Sequence, residues 1–206
     1  MFRPWDRQYD VKAVIDETEQ YRYQFTCKWG NGRRLVTFVM LNPSQGNQGQ
    51  DDRTLQRCIS YAKHWGYDGI KVVNLFAYIS TDPKELKGQV DAVGPENDKY
   101  VLDAAHRSER VIVAWGKKTF AQGRIDEVLE LLSFVDLYAI EVTNCGRYPK
   151  HPLYLRGELS PELFRPATKE VIKLTKRTVP HQMDSSREGM IGGSDVGLFD
   201  DPDWRL

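Results

Sequence analysis

The chain has 206 residues, with 29 basic and 29 acidic side chains and a formal net charge of zero. Hydrophobic residues make up 40% and charged residues 28%, which excludes a fibrous or wholly disordered chain and fits one domain that buries a core without disulfides or metal. Neutrality excludes coating of nucleic acid by bulk charge, but not a local basic face.

The longest apolar runs, RLVTFVML and ERVIVAWG, fall far short of the roughly 20 residues a membrane span needs. The first residues, MFRPWDRQYD, hold no apolar stretch of the kind a secretory signal needs, so a cytoplasmic location is expected. Cys27, Cys58 and Cys145 lie far apart and form no CxxC pair, so they read as reduced core thiols and not as a metal or cluster site.

Residues 20–43 read as a β-hairpin. QYRYQFTCKW alternates, RRLVTFVML is continuously apolar, and Gly30-Asn31-Gly32 between them supplies turn residues. The second of these strands lacks polar alternation and reads as buried on both faces, as in a central parallel sheet. The loop NPSQGNQGQ follows. In DDRTLQRCISYAKHWGY, Leu55, Ile59, Ala62 and Trp65 fall at helical spacing, with Asp51 and Asp52 as caps. Ile70 to Asn74 is a second buried strand. Val93 to His106 opens on Gly94-Pro95-Glu96-Asn97-Asp98, whose proline and acids suit a helix N-terminus. RVIVAWG is a third strand ending at Gly116, RIDEVLELLSF an amphipathic helix, LYAIEVTN a fourth strand, and a last helix is expected from Pro161 to Lys176. Residues 180–206 turn to Gly, Ser and Asp and read as an acidic tail after a single domain over 1–179.

Strand and helix alternate with short connections. This predicts an α/β fold of three layers, α/β/α, with a central four-stranded parallel sheet preceded by the N-terminal hairpin. In such folds a site lies beyond the C-terminal ends of the strands. That rule selects Asn42-Pro43-Ser44, Asn74-Leu75-Phe76, Gly116-Lys117-Lys118 and the 144–156 loop.

Common nucleotide-loop, zinc-protease and serine-hydrolase motifs are absent. His64 and His106 fall on predicted helices, and His181 in the tail. His151 sits between Lys150 and Pro152, where proline restricts the backbone and can hold an imidazole in one direction. Asn42 and Asn74 each follow an apolar strand and can present a donor and an acceptor, or can close an Asx turn. Asp51, Asp52, Asp82 and Asp98 are the nearest carboxylates, each also a natural cap or turn residue. Phe76, Tyr78, Tyr148 and Tyr154 could stack on a base or pack the rim. Residues 145–180 carry eight basic and three acidic side chains, and residues 181–206 two basic and six acidic. Neutrality of the whole thus hides a basic segment beside His151.

Leu41-Asn42-Pro43-Ser44, Val73-Asn74-Leu75-Phe76-Ala77-Tyr78, Thr81-Asp82-Pro83, Val93-Gly94-Pro95-Glu96-Asn97-Asp98, Ala114-Trp115-Gly116 and His151-Pro152-Leu153-Tyr154-Leu155 occur in order. Together they resemble a bacterial and phage family known only as a domain of unknown function. More remotely, Asn42-Pro43, Asn74, Val111 to Gly116 and His151-Pro152 are similar to the uracil-DNA glycosylase superfamily. That resemblance implies the four-stranded parallel sheet and a site in which Asn42 positions the attacking water, Asn74 reads the base edge and His151 stabilises the departing base. Tyr154, Leu155 or Arg156 would fill the gap left by a flipped nucleotide. The superfamily's most active branch has Asp where Asn42 stands, so Asp51 or Asp52 would have to activate water.

The expected function is a DNA glycosylase-like hydrolase of a modified or damaged base, in phage DNA or antiphage defence. A nucleoside- or nucleotide-binding hydrolase and a non-catalytic module for modified nucleic acid or a protein partner are the alternatives. Catalysis would fall to Asn42, His151, Asp51 and Asp52. Substrate binding would fall to Pro43, Ser44, Asn74, Phe76, Tyr78 and Tyr154, and DNA contact to Lys117, Lys118, Arg147, Lys150, Leu155 and Arg156. No cofactor or metal is expected, because the cluster-bearing branches need four cysteines. DNA or a nucleotide is the expected partner, with no membrane.

Overall fold

The computed structural model describes Trp5, residues 8–44 and residues 52–168. Asp51, His181, the expected domain boundary at 179 and the acidic tail lie outside them.

The strand Leu35–Met40 (β3) is buried at all six positions. A strand with no solvated face and no solvated edge needs partners on both sides. Its neighbours are Gly69–Asn74 (β4) and Arg110–Val113 (β5), both parallel to it. Leu137–Ala139 (β6) pairs in parallel with β5. Three antiparallel strands extend this group. Arg22–Trp29 (β2) pairs with β4, Tyr9–Ile15 (β1) with β2, and Glu162–Arg165 (β7) with β6. The sheet is therefore mixed and seven-stranded, in the order β1-β2-β4-β3-β5-β6-β7, and not a sheet of four.

Successive residues of the strands feed opposite faces. Val36, Phe38 and Met40 join the cluster that holds Leu55, Cys58, Ile59 and Ala62 of helix Arg53–His64 (α1). Val39 and Leu41 join the other cluster. It holds Val101, Ala104 and Ala105 of helix Asn97–His106 (α2), and Ile125 and Val128 of helix Gln122–Leu131 (α3). Each fully buried aliphatic side chain of this kind contributes roughly 1.5–3 kcal/mol.

The expected hairpin over 20–43 does not form. Gly30 does take a positive φ of 79°, but the strands on either side of the turn are not partners. With both edges of β3 taken by parallel strands, β2 pairs instead with β4 and with β1. The β1 sequence, YDVKAVI, alternates in burial over its first four residues, as an outer strand can. The expected helix from Pro161 is a strand over its first turns. Pro166 disfavours helical backbone at Arg165, and Leu163 and Phe164 follow extended geometry. Strand β6 spans three residues, shorter than LYAIEVTN suggested. Cys27 and Cys58 are buried, whereas Cys145 is exposed and not a core thiol. No helix among the described residues is long and apolar enough to cross a membrane.

The end of β4 is fixed by two side chains from the α2 and α3 side. Asn97 is fully buried, and its Nδ2 donates to the carbonyls of Asn74 at 3.0 Å and Leu75 at 3.1 Å. Arg124 Nε donates to the Leu75 carbonyl at 2.9 Å, while its other nitrogens pair with Asp98 and Glu127. Gly94, just before α2, needs to be glycine twice over. Its φ is +86°, and a Cβ there would lie 2.8 Å from the Tyr21 ring.

Asn97→Asp keeps the shape but removes both donors. A buried acceptor left unpaired costs about 1–3 kcal/mol. Urea denaturation is expected to show the variant less stable by about 1–3 kcal/mol, because the Asn74 carbonyl loses its donor while Leu75 keeps Arg124. A loss within error of zero would show that the strand end does not depend on this residue.

Candidate functional site

The C-terminal ends of the parallel strands open into a cleft of about 1110 Å³. Its lining includes Asn42 and Ser44 after β3, Asn74 at the end of β4, Trp115 to Lys118 after β5, and His151 with Tyr154, Leu155 and Arg156 from the loop after β6. Asp52 at the start of α1 also lines it. The structure thus brings Asn42, Asn74, His151 and Asp52 to one cavity, from four separate stretches of chain.

Asn42 is half-buried. Its Nδ2 donates to the carbonyls of Ser80 at 2.8 Å and Pro43 at 3.1 Å. The amide is thereby fixed, and its Oδ1 is left to accept. Asn74 is 2% exposed, and its Nδ2 is buried without a hydrogen-bond partner.

His151 stands next to Gly116 in space. A Cβ on Gly116 would sit 3.7 Å from that of His151, an ordinary contact, so the glycine is needed for its φ of +75° and not for room. The His151 Nδ1 accepts from the Leu153 N–H at 3.3 Å. An acceptor at Nδ1 puts the proton of the neutral ring on Nε2, making that atom a donor. Burial pushes the imidazole below its usual pKa, and Lys118 adds to this, while Asp52 opposes both. The ring is neutral at neutral pH.

The loop carrying His151 is tied to α1 by donors on one helix face. Arg57 Nη2 donates to the Leu155 carbonyl and the Tyr61 hydroxyl to that of Arg156. Trp65 Nε1 donates to Leu159 at 2.9 Å. Spacing by four residues places Arg57 and Tyr61 along one edge of the helix, with Trp65 at its C-cap.

Asp52 is the N-cap of α1, as its sequence position suggested. One oxygen accepts from the Leu55 N–H and the other from Ser44 Oγ, each at 2.6 Å. Asp82 closes a turn by accepting from the Lys84 N–H at 2.9 Å, and Asp98 pairs with Arg124. Neither lines the cleft.

Of the expected substrate contacts, Pro43, Phe76 and Tyr78 are not part of the lining. Pro43 is buried beside it. Phe76 packs on the α2 and α3 side and stacks against Phe120 at 6.4 Å. Tyr78 meets Tyr21 edge-on at 6.0 Å. Tyr154 lines the cleft, is 84% exposed, and lies 5.7 Å from the His151 ring. Of the expected DNA contacts, Lys117, Lys118, Lys150, Leu155 and Arg156 line the cleft, while Arg147 is exposed away from it. Lys150 is paired with Glu141. His64 and His106 are exposed and outside the lining, and Tyr148, half-buried before His151, is outside it too.

Sequence reasoning missed Arg22. It lines the cleft, is 3% exposed, and neither its Nε nor its Nη1 has a hydrogen-bond partner. Burial draws its pKa down to about 10, against the pull of Asp52, so it remains a cation at neutral pH. Among the described residues the lining holds five Lys or Arg side chains (22, 117, 118, 150, 156) against the carboxylates of Asp52 and Glu141. The cleft is basic although the chain is neutral. Folding does this, because only Lys150 and Arg156 come from the basic segment 145–180. Among the described residues no cluster of His, Cys, Asp or Glu could hold a metal ion.

A histidine whose pKa is lower in the fold than in the unfolded chain weakens folding in acid, where the unfolded state binds the extra proton. Stability should therefore fall as pH drops from about 6.5 toward the lower native pKa, and hold above it. His151→Asn should flatten that part of the profile. Chemical denaturation at pH 5 and pH 7.5 checks it, and an equal pH dependence in both proteins would contradict it.

No curated protein and no solved structure matches the chain. A family model described as "Protein of unknown function (DUF1643)" matches residues 22–153, a stretch that runs from the buried Arg22 to the His151 turn. The chain belongs to that family.

Proposed function

We propose that the protein is a glycosylase-like hydrolase that cleaves the N-glycosidic bond of a modified or damaged base in DNA. The observation that carries this reading is the meeting of Asn42, Asn74, His151 and Asp52 at one cleft. It is roofed by an exposed tyrosine and rimmed by lysines.

Cleavage of a C1′–N bond leaves the electron pair on the base and positive charge on the sugar. A fixed donor toward the base then matters more than a strong nucleophile. The neutral His151 suits that role, because its Nε2–H can donate to a base oxygen without first losing a proton. Asn42, with its Nδ2 occupied, can accept from a water through Oδ1. That water adds its oxygen to C1′, and its proton passes toward the Asp52 carboxylate or to solvent. Asn74 offers an unused Nδ2 to an acceptor on the base edge. Tyr154 can stack on an extruded base or stand in its place, worth about 1–3 kcal/mol for a stacked base. The exposed Lys117 and Arg156 suit backbone phosphates.

A nucleotide hydrolase is the second reading. The cleft, at about 1110 Å³, exceeds a nucleobase and has room for sugar and phosphate as well. Antiphage defence or processing of modified phage DNA is the setting this chemistry would serve.

The test is incubation with duplex and single-stranded DNA carrying a panel of modified bases, with abasic sites read by alkaline cleavage. Base release is expected from at least one substrate. His151→Ala should slow it by about 100-fold or more, as expected for loss of one preorganised donor, while circular dichroism stays unchanged. Asn42→Ala should slow it comparably. An unaltered rate in His151→Ala would remove that residue from the mechanism. Turnover of free nucleotides with no release from DNA would establish the second reading instead.

A further inference from the structure

Among the described residues, seven buried side-chain nitrogen or oxygen atoms have no hydrogen-bond partner. Four belong to residues that line the cleft: Arg22 Nε and Nη1, Asn74 Nδ2 and Trp115 Nε1. All four are donors. The other three, the donor Arg57 Nε and the acceptors on Gln24 and Asn97, belong to residues outside the lining. Buried polar atoms are normally paired, and a cluster of one polarity marks the polarity of what is missing.

Arg22 makes this more than a matter of neutral hydrogen bonds. It is a buried cation that forms no ion pair with any described carboxylate. Asp52 acts on it through space without forming an ion pair with it, and its oxygens accept instead from Ser44 and Leu55. An unpaired buried charge is strongly unfavourable unless a ligand completes it. Topology gathers the three residues at one end of the sheet. Asn74 ends β4, and Trp115 follows β5. Arg22 begins β2, which runs antiparallel to β4, and its backbone N–H donates to the Ala77 carbonyl just beyond β4 at 2.9 Å.

We infer that Arg22, Asn74 and Trp115 form an oxyanion subsite, and that the substrate is a base carrying an acidic substituent, a carboxylate or a phosphoryl group. This rests on the reading of the cleft as a base-binding site and adds the class of base. A guanidinium fork can grip two oxygens of one such group. Asn74 and Trp115 add single donors to the remaining acceptors. A plain pyrimidine has carbonyl oxygens but no charge, and leaves Arg22 uncompensated.

Direct binding tests the inference without requiring catalysis. Titration calorimetry on the full chain uses 5-carboxyuracil, uracil and inorganic phosphate as probes. 5-Carboxyuracil is expected to bind at least tenfold more tightly than uracil. Arg22→Met should abolish that preference while melting at the same temperature or higher, because an unpaired buried charge has been removed. Arg22→Lys should keep part of it, lacking the fork. Binding of phosphate that Arg22→Met abolishes, without a preference for 5-carboxyuracil, supports the subsite and assigns it to a phosphoryl group. If Arg22→Met does not fold, Trp115→Phe removes one donor and keeps a ring, and should weaken 5-carboxyuracil several-fold.

Equal affinity for 5-carboxyuracil and uracil, with no Arg22-dependent phosphate binding, overturns the inference. So does folded Arg22→Met that keeps both its 5-carboxyuracil affinity and its phosphate affinity. The two proposals fail separately. Base release from DNA with no dependence on substituent charge sinks the subsite and leaves the hydrolase. Arg22-dependent oxyanion binding with no release from any DNA does the reverse.

Discussion

The end of β4 is where the fold and the cleft meet, and Asn97 and Arg124 hold it there. A parallel strand that stops in a cleft leaves carbonyls beyond the last sheet partner. Buried and unpaired, each would cost about 1–3 kcal/mol. Asn97 from α2 and Arg124 from α3 satisfy them from the far face of the sheet. The Asn74 side chain therefore starts from a backbone that cannot relax toward either neighbour. The Arg124 guanidinium is itself nearly buried and compensated by Asp98 and Glu127. The contrast with Arg22 is instructive. Both arginines are sequestered, but one is surrounded by carboxylates and carbonyls and reads as structure, while the other, on the cleft wall, has two unmatched nitrogens.

On the opposite face, α1 does a similar job for the His151 loop. Arg57, Tyr61 and Trp65 donate to carbonyls of residues 155–159, and Asp52 caps the same helix while lining the cleft. One helix thus sets both the carboxylate and the loop bearing the imidazole. Local order then follows from proline. Pro152 fixes its own backbone and limits that of His151, and the Leu153 N–H selects the ring tautomer. No long-range contact of the imidazole is needed to decide which nitrogen donates.

Much of this was legible because strand ends are marked in sequence. A mostly apolar run from Leu35 to Leu41 followed by Asn-Pro, another ending in Asn, and a third ending in Trp-Gly identify the cleft edge once the strands are known to be parallel. Arg22 was not legible. It sits at the start of an alternating strand, among aromatic and polar residues, where an arginine is ordinarily solvated. Only the pairing of β2 with β4 carries it to the same edge as Asn74. The hairpin expectation hid that pairing, because Gly30-Asn31-Gly32 is a good turn whichever strands it separates. The strand at Glu162 was masked by a run of helix-tolerant residues that continues past Pro166. Phe76 and Tyr78 follow Asn74 closely in sequence, but beyond a strand end direction is set by loop packing and no longer by a period of two.

Net charge is a poor guide to this protein because its charges are sorted by folding. Lys117 and Lys118 come from the loop after β5, Lys150 and Arg156 from the loop after β6, and Arg22 from an antiparallel strand on the other side of the sheet. No window of sequence contains them all. Their roles also differ by depth. Lys117 and Arg156 are solvated and interact with an anion at the modest strength of surface charges, screened by salt. Arg22 is shielded from water, where an interaction with an anion is much less screened and orientation counts. A rim of the first kind attracts any phosphate backbone, whereas a single cation of the second kind can discriminate between ligands of nearly equal shape. On the proposed reading, the arrangement would separate capture by the exposed Lys117 and Arg156 from selection by the buried Arg22.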